Sequence, residues 1–172
     1  MRILIANDKF KGSLAAEKAG FHIKNSLENV FPGAIFDICP IADGGEGTAL
    51  AMTTALAGEW VHAQTQDAHG RPLEAPFGWV ASSATAVMEM SAASGLAIVQ
   101  DIELNPFKAS TLGTGVLIQS ALRRGAKRIL IGIGGSATND GGLGVALALG
   151  YRFKRRGQDF SPTLETLLEA DQ

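Results

Sequence analysis

Two turns of the sequence place carboxylates and lysines beside glycine, directly after apolar runs. Asp8 and Lys11 lie in NDKFKGS, which follows RILIA, and Asp43 and Glu46 lie in ADGGEGT, which follows AIFDICPI. Two carboxylates beside glycines suit a hydrated Mg²⁺, which takes one or two carboxylates together with phosphate oxygens. A lysine in such a turn supplies a point charge for phosphate or carboxylate. The residue types therefore favour metal-assisted chemistry on a phosphate-bearing ligand.

Both turns also have a purely structural interpretation. Asp43 can cap a following helix, and Glu46, three residues later, can complete a capping box. The charged residues of NDKFKGS can belong to a solvated turn. Because ligands of open α/β sheets bind at the carboxyl ends of the strands, polar groups and glycine recurring at three strand ends favour a functional site.

The longest glycine-rich stretch is GIGGSATNDGGLG, residues 132–144. It follows an apolar run and precedes VALALG, so a strand is predicted to enter a glycine turn that leads into a helix. Backbone N–H groups in such a turn, with the positive end of the helix behind them, converge on an anion. Ser136 and Thr138 would add hydroxyl donors, whereas Asn139 or Asp140 could instead cap the helix. A tight turn without a ligand is the structural alternative.

Other nucleotide and catalytic motifs are missing or incomplete. The chain contains no Gly-Lys pair and therefore no Walker A loop. Gly132-x-Gly134-x-x-Ala137 satisfies the loose dinucleotide fingerprint, and Asp159 lies about 20 residues further on, which leaves a dinucleotide-binding oxidoreductase as an alternative. The histidines are isolated and lack metal-ligand spacing.

Composition bounds the class of protein. The 172 residues are 46% hydrophobic, enough for a packed core, and carry a net charge of −2 without a basic block. We therefore expect a small-molecule ligand, and neither nucleic acid nor a membrane as a partner. The single Cys39, expected to be a buried structural residue, excludes an internal disulfide. A reducing, cytoplasmic location is predicted.

The elements that must position these groups follow an α/β pattern. Strand, helix, strand and helix are predicted in that order over residues 1–58, with Ser13 as the cap of the first helix and the second strand at 34–42. This order favours parallel strands joined by right-handed crossovers.

The pattern changes after the second helix. Strand-like segments with little helix between them occupy residues 59–67, 72–80 and 85–90. A second unit is therefore expected to begin near residues 60–72, and it continues through a helix at 114–126 and the glycine turn. A last amphipathic helix is predicted from Ser161, with Leu164, Leu167 and Leu168 on one face.

Five motifs of the chain together resemble those of the bacterial type I glycerate kinases, the glycerate 2-kinase family. They occur in the family's order with similar spacing, and the match extends over essentially all 172 residues. The motifs are FKGSL (10–14), ADGGEGT (42–48), EMSAASGL (89–96), NPFKASTLGTG (105–115) and GIGGSATNDGGLG (132–144). Such a set is specific, whereas one motif alone would not be.

The resemblance implies ATP-dependent phosphorylation of D-glycerate, at the 2-hydroxyl, with ATP and Mg²⁺ as cofactors. It also implies an α/β fold with a Rossmann- or flavodoxin-like parallel sheet portion and part of a second α/β domain, with the site in the cleft between them. Residues 1–65 are expected to form the N-terminal part of the first domain. Residues 66–172 are expected to form part of the second domain, which carries the GGSATND loop. Relatives continue for roughly as long again, so the chain is expected to be an N-terminal portion.

The resemblance also suggests roles for the acidic residues. Asp8 is the candidate for accepting the proton of the attacking hydroxyl, and Asp140 competes for that role. Asp43 and Glu46 would hold Mg²⁺ or orient the hydroxyl. Phosphoryl transfer depends on such positioning and on charge neutralisation more than on covalent chemistry.

Further residues are predicted to contact the phosphate groups or the substrate. Lys11 and Lys108 would offset the charge that develops on the transferred phosphate. The remaining predicted contacts are Gly44, Gly45, Gly134, Gly135, Ser136, Thr138 and Asn139.

The sequence departs from the family pattern in two respects. Relatives usually read close to PDSFKGSL, where this chain has Asn7 and Lys9 in place of Pro and Ser. Relatives are also longer, which leaves an alternative function: a catalytically incomplete fragment of such a kinase. A fragment of this kind would expose apolar surface through which a homo-oligomer could form.

Overall fold

The computed structural model describes residues 1–167 and has a mixed α/β fold, as the sequence predicts. The strands of this part of the chain are β1 (Arg2–Ile5), β2 (Ile35–Ile38), β3 (Glu59–Gln66), β4 (Pro72–Val80), β5 (Thr85–Glu89), β6 (Arg128–Gly132), β7 (Phe153–Arg155) and β8 (Gln158–Phe160). Its helices are α1 (Ala16–Glu28), α2 (Thr48–Ala55), α3 (Ser91–Ser94), α4 (Leu112–Arg123) and α5 (Leu143–Ala148). Within residues 1–167, none of these helices is long and apolar enough to cross a membrane.

The first sheet consists of the parallel strands β1 and β2, joined by α1 as predicted. Strand β2 is shorter than predicted and ends before Pro40, which has no N–H to donate. Hydrogen bonding nevertheless continues beyond it, from Cys39 N–H to Ile5 O at 2.8 Å and from Ile41 N–H to Asn7 O at 3.1 Å. The loops that follow β1 and β2 therefore run side by side.

The second sheet has the strand order β3-β4-β5-β6. Strands β3, β4 and β5 pair antiparallel, whereas β5 and β6 are parallel, so the carboxyl ends of β5 and β6 lie at one edge. Strand β5 is buried along its whole length. Helix α4 covers this sheet, and the shared core is formed by Ala75, Phe77, Trp79, Ala86, Met88, Ala93, Leu117, Ile118 and Ala121.

The predicted domain boundary between residues 65 and 66 falls within β3. All of β3 pairs with β4, from Glu59 opposite Trp79 to Gln66 opposite Pro72. Strand β3 thus belongs to the second sheet, and the division of the chain into two domains at this point stays a prediction.

Two local predictions are wrong. Ser13 does not cap α1, because its hydroxyl donates to Phe10 O at 3.2 Å within a tight turn and the helix begins only at Ala16. Cys39 is exposed and not buried, because it lies past the end of β2, in the loop that follows the strand.

The end of the described chain differs from the prediction as well. Strands β7 and β8 form an antiparallel hairpin, in agreement with the short strand and turn expected there. The helix predicted from Ser161 is not formed in the described residues, where 164–166 make a turn. Leu168, assigned to the apolar face of that helix, lies outside the described residues.

Candidate active site

Lys9 links the loops that follow β1 and β2. Its Nζ lies 3.8 Å from Asp8 Oδ1 and 3.6 Å from Asp43 Oδ1, and its side chain is only 22% exposed. Asp43 Oδ1 also accepts the Gly45 N–H at 2.9 Å. That hydrogen bond, followed by the charge of Lys9, holds the pKa of Asp43 below its ordinary value. The structure thus brings Asp8 and Asp43 together, with one ammonium group close to both.

The capping box expected of Asp43 and Glu46 is not formed. Helix α2 begins at Thr48 behind Gly47, and no side chain caps it from the N-cap position. Asp43 instead binds the Gly45 N–H inside its own loop. Gly47 has a φ of 96°, a conformation that glycine adopts without strain.

The two glycine-rich loops contact each other through their backbones. Gly134 N–H donates to Gly44 O at 2.8 Å. A Cβ on Gly134 would lie 2.7 Å from Gly45 Cα, and a Cβ on Gly132 would lie 2.6 Å from Gly44 O. Any side chain at either position would push the loops apart. These glycines therefore let two backbone segments, one from each sheet, approach each other closely.

Glu89, which sequence reasoning missed as a functional residue, connects β5 to the first turn of α2. Its Oε1 accepts the Ala49 N–H at 2.7 Å, and its Oε2 accepts the Ser91 Oγ–H at 3.2 Å. The signal that could have found it is a carboxylate directly after the apolar run TAVM, at the end of a strand.

A cleft of about 980 Å³ lies beside the loops that follow β1 and β2. This is at the upper end of the usual range for small-molecule pockets. Its apolar lining includes Phe10, Phe21, Ile41, Leu50 and Trp60. Its charged lining includes Asp8, Lys9, Glu17, Glu46 and Glu89. Among the predicted acidic residues, Asp8 and Glu46 therefore face one cavity, whereas Asp43 and Asp140 do not line it.

Asp140 is buried, and both oxygens of its carboxylate are engaged. Oδ2 accepts the Thr111 N–H at 2.8 Å, the Thr111 hydroxyl at 2.9 Å and the Gly144 N–H at 3.0 Å, while Oδ1 accepts the Gly142 N–H at 3.0 Å. The carboxylate thus lies at the N-termini of both α4 and α5, which agrees with the helix-capping alternative. The N-terminus of α5, which the sequence predicts to bind a ligand anion, already binds the Asp140 carboxylate.

Other donors of the GGSATND turn also bond within the protein. Ala137 N–H donates to Ser94 O at 2.8 Å, and Thr138 N–H donates to Ser136 Oγ at 3.0 Å. The hydroxyls of Ser136 and Thr138 lie 2.7 Å apart and share a hydrogen bond. Phosphate binding by this turn stays a prediction, and these groups would have to exchange their present bonds to contribute to it.

The remaining predicted residues lie on the surface. Lys11, Lys108, Gly135 and Asn139 are exposed and do not line the cleft as the described residues form it. The two lysines nevertheless present their ammonium groups to solvent, where an incoming phosphate can reach them.

The acidic residue that the dinucleotide fingerprint requires is not in the expected place. Asp159 lies in β8, within the antiparallel β7–β8 hairpin, and forms an ion pair with Arg152. The fingerprint instead needs an acidic residue at the end of the next parallel strand. The structure therefore gives the oxidoreductase alternative no support.

The carboxylates fit only one mode of metal binding. Among residues 1–167, no three His, Cys, Asp or Glu side chains come together as a metal site. Asp43 is 71% exposed and Glu46 is also exposed. Hydrated carboxylates of this kind suit Mg²⁺ held partly by the phosphate oxygens of a ligand, and not an ion enclosed by protein ligands.

The amino-acid sequence matches glycerate kinases over nearly its whole length. A family model described as the glycerate kinase family matches residues 3–172. The glycerate kinase of Bacillus subtilis strain 168 is 46% identical over 163 residues, which are 94% of this chain and 43% of that protein. The glycerate 2-kinase of Escherichia coli K12 is 45% identical over 152 residues, 88% of this chain and 40% of that protein.

A solved structure extends the likeness to three dimensions. The crystal structure of a protein provisionally named glycerate kinase 2, from Salmonella typhimurium LT2, superimposes with a TM-score of 0.84 at 40% sequence identity. The match covers 100% of this chain and 47% of that one. The chain thus spans less than half the length of these relatives. It belongs to the glycerate kinase family.

Proposed function

We propose that this chain forms part of an ATP-dependent glycerate kinase, which transfers the γ-phosphoryl group of ATP to the 2-hydroxyl of D-glycerate. The observation that carries the proposal is the convergence of strand ends from both sheets on one cleft of about 980 Å³. The lining of this cleft combines the carboxylates of Asp8 and Glu46 with the ammonium group of Lys9. Family membership supplies the substrate class.

Asp8 is the proposed acceptor of the hydroxyl proton. It lines the cleft at the end of β1, and its Oδ1 accepts the Lys9 N–H at 2.6 Å. This hydrogen bond fixes the direction of the carboxylate, as a general base requires. Asp140, the competing candidate, has its carboxylate occupied by helix N-termini, so we assign it a positioning role.

Asp43 and Glu46 are the proposed ligands of Mg²⁺, together with phosphate oxygens of the nucleotide. When bound, the ion would neutralise charge on the transferred phosphoryl group. Glu46 lines the cleft. Asp43 lies three residues earlier in the same loop, and the Gly45 N–H fixes the direction of its carboxylate.

Three lysines are proposed to offset the negative charge of both substrates. Lys9 lies within the cleft lining, whereas Lys11 and Lys108 would approach a phosphate from the exposed surface. Ser136, Thr138 and Asn139 stay proposed ligand contacts. Gly44, Gly45 and Gly134 are proposed to act by bringing the two loops together.

The chain spans less than half the length of its relatives. The second proposal is therefore a catalytically incomplete piece, whose activity requires the segment that the relatives add. A coupled ADP-release assay with D-glycerate, ATP and Mg²⁺ distinguishes them. It would compare the 172-residue chain with a chimera that joins this chain to the remainder of the Bacillus subtilis glycerate kinase.

Glycerate-dependent ADP release by the chain alone would show that it is catalytically complete. Release by the chimera only would support the incomplete piece and retain the kinase assignment. If both proteins are folded and neither releases ADP in response to glycerate, the proposed function is wrong. A cytoplasmic location and self-association stay predictions that this assay does not address.

A further inference from the structure

Glu89 is a buried acid in the cleft to which the proposed reaction gives no task. Its side chain lies at the carboxyl end of β5, and the residue is 9% exposed. It lines the same cleft as Asp8 and Glu46. A charged group in such a place is stable only with hydrogen-bonding partners, because burial without them is costly.

The partners within the chain use only part of the carboxylate. Its two oxygens offer about four acceptor positions. The Ala49 N–H takes one on Oε1 and the Ser91 hydroxyl takes one on Oε2. No Lys, Arg or His of residues 1–167 forms an ion pair with Glu89, whereas Asp8 and Asp43 both lie close to Lys9. The remaining acceptor positions are therefore available to a donor that enters the cleft.

The chemistry of the cleft indicates which donor this is. Anionic groups of a ligand would be repelled by Glu89 and attracted by Lys9, which lines the same cavity. An alcohol, in contrast, donates one hydrogen bond to a carboxylate, and such charge-assisted bonds are about twice as strong as neutral ones. Two internal hydrogen bonds already fix the carboxylate, so little order is lost on binding.

We propose that Glu89 accepts a hydrogen bond from a hydroxyl group of the hydroxy acid in the cleft and thereby determines specificity for hydroxylated substrates. This inference rests on the proposed function for its substrate class. It assigns to Glu89 a contact with the ligand, in addition to the bond that holds the N-terminus of α2.

Isothermal titration calorimetry on the 172-residue chain and on its chimera with the Bacillus subtilis remainder tests the inference without requiring turnover. The probes are D-glycerate, D-lactate, which lacks the 3-hydroxyl, and 3-hydroxypropionate, which lacks the 2-hydroxyl. We expect the affinity for D-glycerate to exceed that for at least one of the two analogues by a factor of about ten or more, which one charge-assisted hydrogen bond can supply.

The decisive variant is Glu89→Gln. Its single side-chain oxygen can still accept the Ala49 N–H. Its other terminal group is an NH₂, which cannot accept a hydrogen bond from a hydroxyl and offers the hydroxyl oxygen at most a neutral bond in place of the charge-assisted one. We expect discrimination between glycerate and the analogue to fall to within about twofold, while protection of the Ala49 amide from hydrogen exchange is retained. Glu74→Gln, on β4 outside the cleft lining, is the matched control and should keep the discrimination.

Ser91→Ala provides a second variant if Glu89→Gln does not fold. It frees the acceptor position on Oε2 and leaves the carboxylate in place, so discrimination should be retained or increased. Unchanged selectivity in Glu89→Gln, or lost selectivity in Ser91→Ala, would overturn the inference and leave the proposed kinase function intact. If neither the unmodified chain nor its chimera with the Bacillus subtilis remainder binds any of the three probes, the inference and the substrate assigned to this cleft both fail.

Discussion

The backbone N–H of Gly134 donates a hydrogen bond to the carbonyl oxygen of Gly44 at 2.8 Å, which joins the loop after β6 to the loop after β2. Asp43, one residue earlier than Gly44, lies near Lys9 in the loop after β1. The loop after β2 is thus held from both sides, by a backbone bond on one and an ion pair on the other. This arrangement fixes the loop that carries Asp43 and Glu46, and Glu46 lines the cleft.

Gly134→Ala should destabilise the protein by about 1–3 kcal/mol, the usual effect of overpacking. The added Cβ would lie 2.7 Å from Gly45 Cα and 2.8 Å from Gly45 N, and backbone atoms cannot move aside as the end of a side chain can. Urea unfolding measures the change. Gly33→Ala is the control for substitution without a steric contact. Its φ of 80° strains an alanine, but no atom lies within 4 Å of the added Cβ. A Gly134→Ala variant as stable as the unmodified chain would contradict the close contact between the two loops.

Asp140→Asn should reduce the free energy of unfolding by about 2–4 kcal/mol. Asparagine keeps one acceptor oxygen and turns an NH₂ group either towards the Gly142 N–H or towards the N–H groups of Thr111 and Gly144. The neighbouring Asn139 is exposed, so Asn139→Ala should change the stability by less than about 0.5 kcal/mol. Denaturant unfolding measures the free energy of unfolding of both variants. Equal stability of Asp140→Asn and the unmodified chain would contradict the positioning role.

The sequence predicts much of this architecture because hydrophobic alternation marks strands such as β3 and β4. The proximity of Asp8 and Asp43 also follows from sequence, since both lie at the carboxyl ends of neighbouring parallel strands. Glu89 and the structural role of Asp140 depend on backbone donors 40 and 29 residues away. Such pairings arise from how the loops pack, which local sequence patterns do not record.

Asp43→Asn should lower glycerate-dependent turnover by about 10²-fold in the active form of the enzyme, with little change in stability. The reason is that Asp43 is 71% exposed and contributes little packing, while its charge is proposed to bind Mg²⁺. Steady-state kinetics and thermal unfolding separate the two effects. Glu74→Gln, which is also exposed but lies outside the cleft, should leave turnover unchanged. Normal turnover in Asp43→Asn would exclude its proposed role.

Asp67 should make the stability of the chain sensitive to acid. Burial acts to raise the pKa of Asp67, but hydrogen bonds from the side chain and backbone of Arg71 and from the His69 N–H outweigh it and hold the pKa below its ordinary value. The stabilisation is therefore complete above the unfolded carboxyl pKa of about 3.9 and is lost as the pH falls through the lower folded value.

Urea unfolding at a series of pH values from neutral to strongly acidic checks this sign. Asp67→Asn should be less stable than the unmodified chain at neutral pH and should lose less stability on acidification. Asp101→Asn removes the exposed partner of the same arginine and should have the smaller effect. Identical acid sensitivity of Asp67→Asn and the unmodified chain would refute the assignment.

The most direct test of the kinase assignment is ³¹P NMR of the reaction mixture, with D-glycerate, ATP and Mg²⁺, for the chain and for its chimera with the Bacillus subtilis remainder. We predict that a phosphomonoester signal of 2-phosphoglycerate appears as the γ-phosphate signal of ATP declines, and only when glycerate is present. A signal of 3-phosphoglycerate would contradict the proposed site of transfer. ATP that stays intact with both folded proteins, or is hydrolysed without a phosphorylated glycerate, would contradict the assignment itself.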